Sequence, residues 1–183
     1  MLNILPNGNL ENTVPQLPEK RITDERICHM HGVAELMYQY HDAFQCHTLT
    51  SEQCYFLGLS HDIGYIDRNE DHEIHGGKLA SYIMHFHKGL LLAHCIEYHG
   101  HTPSEYKEIW RRTDAEIPNE LVLLWWADTC VESDGEHAGE VVGLQGRLDG
   151  IRKHYGEDSQ QYKRFQETIH WLVNWMQREV ICG

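Results

Sequence analysis

The side chains of this sequence best suited to chemistry are histidines and a few aspartates. Fifteen histidines equal the combined count of lysine and arginine, and no consecutive run accounts for them. His61 and Asp62 follow the apolar stretch Leu57-Gly58-Leu59, so two ionisable groups close an element that reads as buried. Burying a carboxylate without a partner is costly. A bound cation relieves that cost, since it favours ionised aspartate and accepts the neutral imidazole nitrogen. Four further segments set the same residue types beside apolar runs. They are Arg26-Ile27-Cys28-His29, His72-Glu73-Ile74-His75-Gly76-Gly77, Cys95-Ile96-Glu97-Tyr98-His99 and Leu124-Trp125-Trp126-Ala127-Asp128. A mixed nitrogen and oxygen donor set suits iron, manganese, zinc, cobalt or nickel better than calcium or an all-oxygen magnesium site. The other dipeptide of this kind, His41-Asp42, stands in a polar stretch and reads as a solvated face.

Those segments need helices to carry them. Thr23-Asp24 reads as a cap, and Ile22, Ile27, Val33, Leu36 and Met37 follow at helical spacing. Further helices are predicted over about 51–63, 72–85 and 89–98, the last ending before Gly100 and Pro103. Pro118 suits the first turn of a helix carrying Leu121 to Val131. The tail is expected to be helical over 141–155 and, after a break near Gly156, over 159–180. In the last piece Phe165, Ile169, Leu172, Val173 and Met176 form one apolar stripe. No alternating strand pair and no repeat is visible. The reading is all-α and single-domain, with about seven helices over 21–183 behind an N-terminal arm, 1–20, that holds Pro6, Pro15 and Pro18.

Taken in order, the histidine and aspartate segments resemble the H…HD…H…H…D pattern of the HD-domain metal-dependent phosphohydrolase superfamily, over roughly residues 22 to 135. The Arg-x-x-His opening and the segments at His72 and His99 look most like bacterial diadenosine tetraphosphate hydrolases of the HD type. Tyr65 stands where that group has a lysine, and the segment between Asp62 and His72 is short. The resemblance implies an HD-type helical bundle with two divalent transition-metal ions, iron first, with manganese, nickel, cobalt or zinc as alternatives. It implies that His29, His61, Asp62 and Asp128 hold one ion and that His72 and His99 add the second. Asp62 would then bridge both ions and be the catalytic carboxylate. His75 competes with His72, three residues away on one helix face, but Gly76 four residues after His72 favours the latter. His101 is a weaker rival to His99. Two such ions about 3.5–4 Å apart lower the pKa of a bridging water and hold both ends of an in-line displacement.

The remaining features narrow the function. A net charge of −13 disfavours nucleic acid and anionic membranes as partners. The longest apolar run, Leu121 to Ala127, falls far short of the roughly 18 residues a membrane helix needs. No basic region followed by an apolar core opens the chain. The six cysteines include no C-x-x-C pair. A cytoplasmic protein with reduced cysteines is therefore expected. No glycine-rich phosphate loop is present, so Arg68 and Lys78 are the candidates to meet a substrate phosphate, with Lys107, Arg111 and Arg112 as an outlying basic patch. Trp125 and Trp126 read as core. The expected activity is hydrolysis of a nucleotide or other small phosphate ester. A di-iron oxygenase resembling myo-inositol oxygenase is the alternative, and a binding module with a structural metal is the third reading. The last amphipathic helix makes a homo-oligomer conceivable.

Overall fold

Thr23 starts the first helix: its hydroxyl accepts the Arg26 backbone N–H at 3.2 Å, with Asp24 and Glu25 in the positive first turn. The computed structural model describes residues 22–66, 71–83 and 89–179, so the predicted arm 1–20 and Arg68 lie outside the described residues. Eight α-helices follow in order: α1 Asp24–Tyr40, α2 Ser51–Ser60, α3 His72–Ile83, α4 Gly89–Tyr98, α5 Pro103–Trp110, α6 Asn119–Cys130, α7 Gly143–Tyr155 and α8 Gln160–Glu179. Among the described residues the only strand-like pairing is a single bridge between Val131 and Val141. The all-α expectation is met.

The bundle is built from pairs. α1 packs on α2, α3 on α4, and α7 on α8, with α6 running among them. α6 is buried on nearly every side, Leu121, Val122, Leu123 and Leu124 being fully enclosed. Each such side chain contributes about 1.5–3 kcal/mol by leaving water, which is why this apolar run is a core helix rather than an amphipathic one. Its one buried acid, Glu120, accepts the backbone N–H groups of Thr48 at 2.9 Å and Leu49 at 3.2 Å, fastening the 41–50 loop to the core. An aromatic seam docks the C-terminal helix. Trp171 meets Trp125 edge-on at 5.9 Å, and Trp175 stacks on Phe44 at 5.5 Å.

The differences from the sequence reading are local. α5 was not foreseen, because Pro103 reads as a stop. In fact it stands in the first turn behind a capping box, in which Thr102 and Glu105 satisfy each other's backbone donors at 2.8 and 3.3 Å. α2 ends at Ser60 rather than near Ile63, and a 3-10 turn over Ile63–Ile66 takes over. Ile27 is 43% exposed, since the buried face of α1 runs through His29, Met30, Val33, Leu36 and Met37. In α8 the buried residues are Leu172 and Trp175, with Val173 on the exposed flank.

Candidate metal centre

Five helices deliver the six candidate side chains to one place, and four of the residues sit at helix ends. His61 caps the C-terminus of α2, with Asp62 next; His99 follows the last residue of α4. The carbonyls of a last helical turn have no partner within the helix. The ring Nδ1 of His61 meets the Gly58 carbonyl, and that of His99 the Ile96 carbonyl, both at 2.7 Å. A carbonyl can only accept, so Nδ1 carries the hydrogen in each ring and Nε2 turns to the centre. His29, in α1, does the same with the Glu132 carbonyl at 3.3 Å. Fixing the ring through its other nitrogen is how proteins orient metal-binding imidazoles. His72, the first residue of α3, has Nδ1 at 3.4 Å from the Glu73 carboxylate.

Asp62 is the hub. Its Oδ2 lies 3.3 Å from His61 Nε2 and 4.0 Å from His29 Nε2, while Oδ1 lies 3.3 Å from both His72 Nε2 and His99 Nε2. Asp128, in the last turn of α6, sits 2.8 Å from His29 Nε2 and 3.5 Å from His61 Nε2 through Oδ1. The ligand atoms of His29, His61 and Asp128 lie within 4.8 Å of one another, as do those of His61, Asp62 and His99. Nε2 of His61 is fully buried and makes no hydrogen bond. A buried ring nitrogen without a hydrogen-bond partner, beside two carboxylates, is the arrangement a cation satisfies.

The electrostatics agree. Burial opposes charge on His61, but Asp62 and then Asp128 outweigh it and raise the imidazole to about 10. Burial likewise opposes charge on Asp62, yet His61, His72 and His99 hold its carboxyl well below the usual range. Asp128 behaves the same way, held down by His29 and His61. Asp62, buried, and Asp128, part-buried, thus demand positive charge. Protons on imidazole supply it in one state, and a divalent cation that displaces them supplies it in another.

Tyr65 and Arg26 complete the wall. The Tyr65 ring stacks on His72 at 3.8 Å, and the Arg26 guanidinium lies 4.7 Å over the same ring. Arg26 also donates to Asp62 Oδ2 at 2.8 Å. Burial, then the charge of Asp62, pushes the Tyr65 phenol up to about 12, so it keeps its proton. Gly64 lets this turn approach α3 so closely that a Cβ there would strike the His72 carbonyl. The centre opens on a cavity of about 840 Å³ whose other walls include Glu132, Arg147, Tyr155, Arg164 and Phe165.

Of the predicted site residues, the structure brings together all six ligand candidates. His101 lines the cavity, whereas the nearby ring facing Asp62 is that of His99; His72, not His75, lines the cavity. Lys78 is exposed on α3 and does not line the cavity, so the structure does not bring it to the centre. Lys107 and Arg112 are engaged in ion pairs with Asp114 and Glu116 instead, at 2.8 and 3.3 Å. Trp125 and Trp126 belong to the core, as read; Trp126 packs on Tyr40 and Phe44. His41 bonds the Leu49 carbonyl at 2.8 Å and the exposed Asp42, away from the centre. Arg26, part of the Arg-x-x-His opening but given no role there, lies three residues before His29 and so on the same helix face. Sequence reading passed over Glu73, Glu132 and Arg147, whose roles arise only from folding.

Among the described residues no helix is long and apolar enough to cross a membrane. No curated protein and no solved structure matches the chain. A model of the HD domain family matches residues 26–131, a span that covers more than half of the chain and contains every one of the six ligand candidates. With its histidines and aspartates gathered at one buried hub, the protein belongs to the HD domain family, whose members are generally metal-dependent hydrolases and bind divalent metals.

Proposed function

We propose that this protein is a metal-dependent phosphohydrolase acting on a nucleotide or other small phosphate ester through two divalent transition-metal ions. The observation that carries the reading is the division of Asp62. One of its oxygens faces His29 and His61, the other faces His72 and His99. His29, His61, Asp62 and Asp128 would hold one ion, and His72 and His99, with Asp62 shared, the second. Iron is the first choice of metal, with manganese, nickel, cobalt and zinc also suited to this donor set. When bound, such ions supply an activated water and neutralise charge on a phosphoryl group in flight.

The chain's own residues do the rest. Arg26 sits at the edge of the centre with its guanidinium part-exposed, within reach of a phosphate oxygen beside Asp62. Its planar fork suits bidentate phosphate binding. Tyr65 props both Arg26 and His72 and stays protonated, so it adds no negative charge beside an anionic substrate. Glu73 holds the His72 ring from behind. The cavity leaves ample room for a substrate larger than free phosphate. The strongly acidic chain argues against nucleic acid as substrate.

The deciding experiment is metal content per chain on protein purified without chelators, followed by phosphate release from a panel of nucleotides, dinucleoside polyphosphates and small esters. About two transition-metal ions per chain and turnover that vanishes in Asp62→Ala are expected. Metal-loaded protein that releases nothing from the panel would sink the hydrolase reading. Iron with oxygen uptake on adding substrate would replace it by the oxygenase one.

A further inference from the structure

The family match stops at residue 131, yet the structure of the centre continues past it. His29 depends on the Glu132 carbonyl for its Nδ1 partner at 3.3 Å. That carbonyl also accepts the Gly139 N–H at 2.8 Å, while the Glu132 N–H bonds the Glu140 carbonyl at 2.9 Å. The backbone from Cys130 to Val142 therefore folds back on itself, closed by the Val142 N–H on the Cys130 carbonyl at 2.9 Å. Two glycines press this loop against α1. A Cβ on Gly139 would stand 2.6 Å from the carbonyl oxygen of Cys28, the residue before His29, and one on Gly32 would stand 2.5 Å from the Gly139 oxygen. Gly139 also adopts φ +89°, where a side chain is strained. This close approach to α1 accompanies the reach of the Glu132 carbonyl to the His29 ring.

What holds the loop from behind is α7. Arg147 pairs with the Glu132 carboxylate through Nη1 and donates to Ser133 Oγ at 2.6 Å through Nη2. The Ser133 N–H bonds the same carboxylate at 3.0 Å, and its hydroxyl donates to Asp134 at 3.0 Å. The Arg147 side chain is only 12% exposed, with the Phe165 ring of α8 at 5.8 Å. Removing either member of such an enclosed pair leaves the other uncompensated. The two residues it grips, Glu132 and Ser133, carry the carbonyl that sets the His29 ring.

We propose that Arg147 is a positioning residue for the metal held by His29. By clamping Glu132 and Ser133 it keeps the Glu132 carbonyl on His29 Nδ1, so that Nε2 faces Asp128 and the ion. α7, outside the matched region, is thereby part of the metal-binding machinery. This rests on the metal-centre reading given above, but it fails separately from it.

The test is a cobalt(II) titration of the full chain, followed by visible absorption and by competition with a chelator, with helicity measured in parallel by circular dichroism. Wild-type protein is expected to bind cobalt. Arg147→Met should keep its helicity and lose about 10–100-fold in affinity for one ion, with the ion on His72 and His99 little changed. Arg147→Lys, which keeps the charge but not the fork, should fall between the two. Cobalt binding by Arg147→Met equal to wild type would overturn the role of Arg147, and so would equal weakening of both ions. If Arg147→Met loses helicity, Arg147→Lys decides: selective loss of one ion supports the role, and wild-type binding of both overturns it. Wild-type protein that takes up no cobalt would instead remove the metal-centre reading itself.

Discussion

Two histidine-bearing regions of the molecule behave in opposite ways. At the centre, His61 is enclosed beside Asp62 and Asp128 and is raised to about 10. On the other flank, His94 of α4 sits among Tyr98, Tyr106 and Trp110, its ring 4.9–5.6 Å from theirs, and its Nε2 lies 2.8 Å from the Tyr106 hydroxyl. There burial, then the charge of Arg112, lowers the imidazole below its ordinary value. The residue type is the same, with the His61 ring buried and the His94 ring part-buried. The partner decides: carboxylates draw positive charge to one histidine, and an aromatic setting keeps the other neutral.

The largest effect should come from the hub. Asp62→Ala removes a carboxylate facing four other candidate ligands, and His61→Ala a ring facing two; either is expected to lower metal content and cut turnover at least about a thousandfold. Metal analysis and phosphate release read the two losses together, with helicity largely kept. Full metal content and activity in Asp62→Ala would erase the contrast between the regions.

The aromatic flank should respond in stability alone. His94→Phe keeps a ring but leaves the buried Tyr106 hydroxyl without its partner, a loss of about 1–3 kcal/mol. Metal content should not change. The pH dependence should change as well. A histidine whose folded pKa lies below its unfolded value binds its proton more readily when the chain unfolds, so stability falls as pH drops below about 6.5. In His94→Phe that part of the acid sensitivity disappears, which urea melts at a series of pH values would show. A variant with an unaltered acid limb would mean that the aromatic setting does not keep His94 neutral.

Asp114 extends the same flank to α8. It accepts from Lys107 at 2.8 Å, Trp171 at 3.3 Å and Arg178 at 3.2 Å. Hydrogen bonding from Lys107 lowers its carboxyl below the ordinary value. Its contribution is therefore present at neutral pH and lost as pH falls below about 3.8. Asp114→Asn should cost about 0.5–1 kcal/mol at neutral pH, a small amount because the pair is part-exposed, and the difference from the parent should fade in acid. The smallest effect belongs to Lys78→Ala. An exposed cation off the cavity should leave kcat/KM within about twofold and stability within about 0.5 kcal/mol. A tenfold loss of kcat/KM would return Lys78 to the substrate.

Much of this was legible because it depends on short-range pattern. The apolar periodicities locate seven of the eight helices among the described residues, and the order of His29, His61-Asp62, His72, His99 and Asp128 points to one centre before any fold is known. α5 escaped because Pro103 has two meanings, stop and first turn, and only the Thr102–Glu105 capping pair separates them. Lys78 and Arg26 show the limit for single residues. Arg26 lies three residues from His29 and Lys78 six from His72, and only packing sends Lys78 to water and Arg26 to Asp62.

The sequence alone determined the helical class and the types and order of the candidate ligands, because hydrophobic spacing and donor chemistry are local properties of the chain. The tertiary structure decided which histidines face carboxylates, how Asp62 divides its two oxygens, and that Glu132 and Arg147 stand behind His29. Those facts join residues up to about a hundred positions apart. Local preferences do not encode such distances; close-packing of α1 and α7 on α6 does.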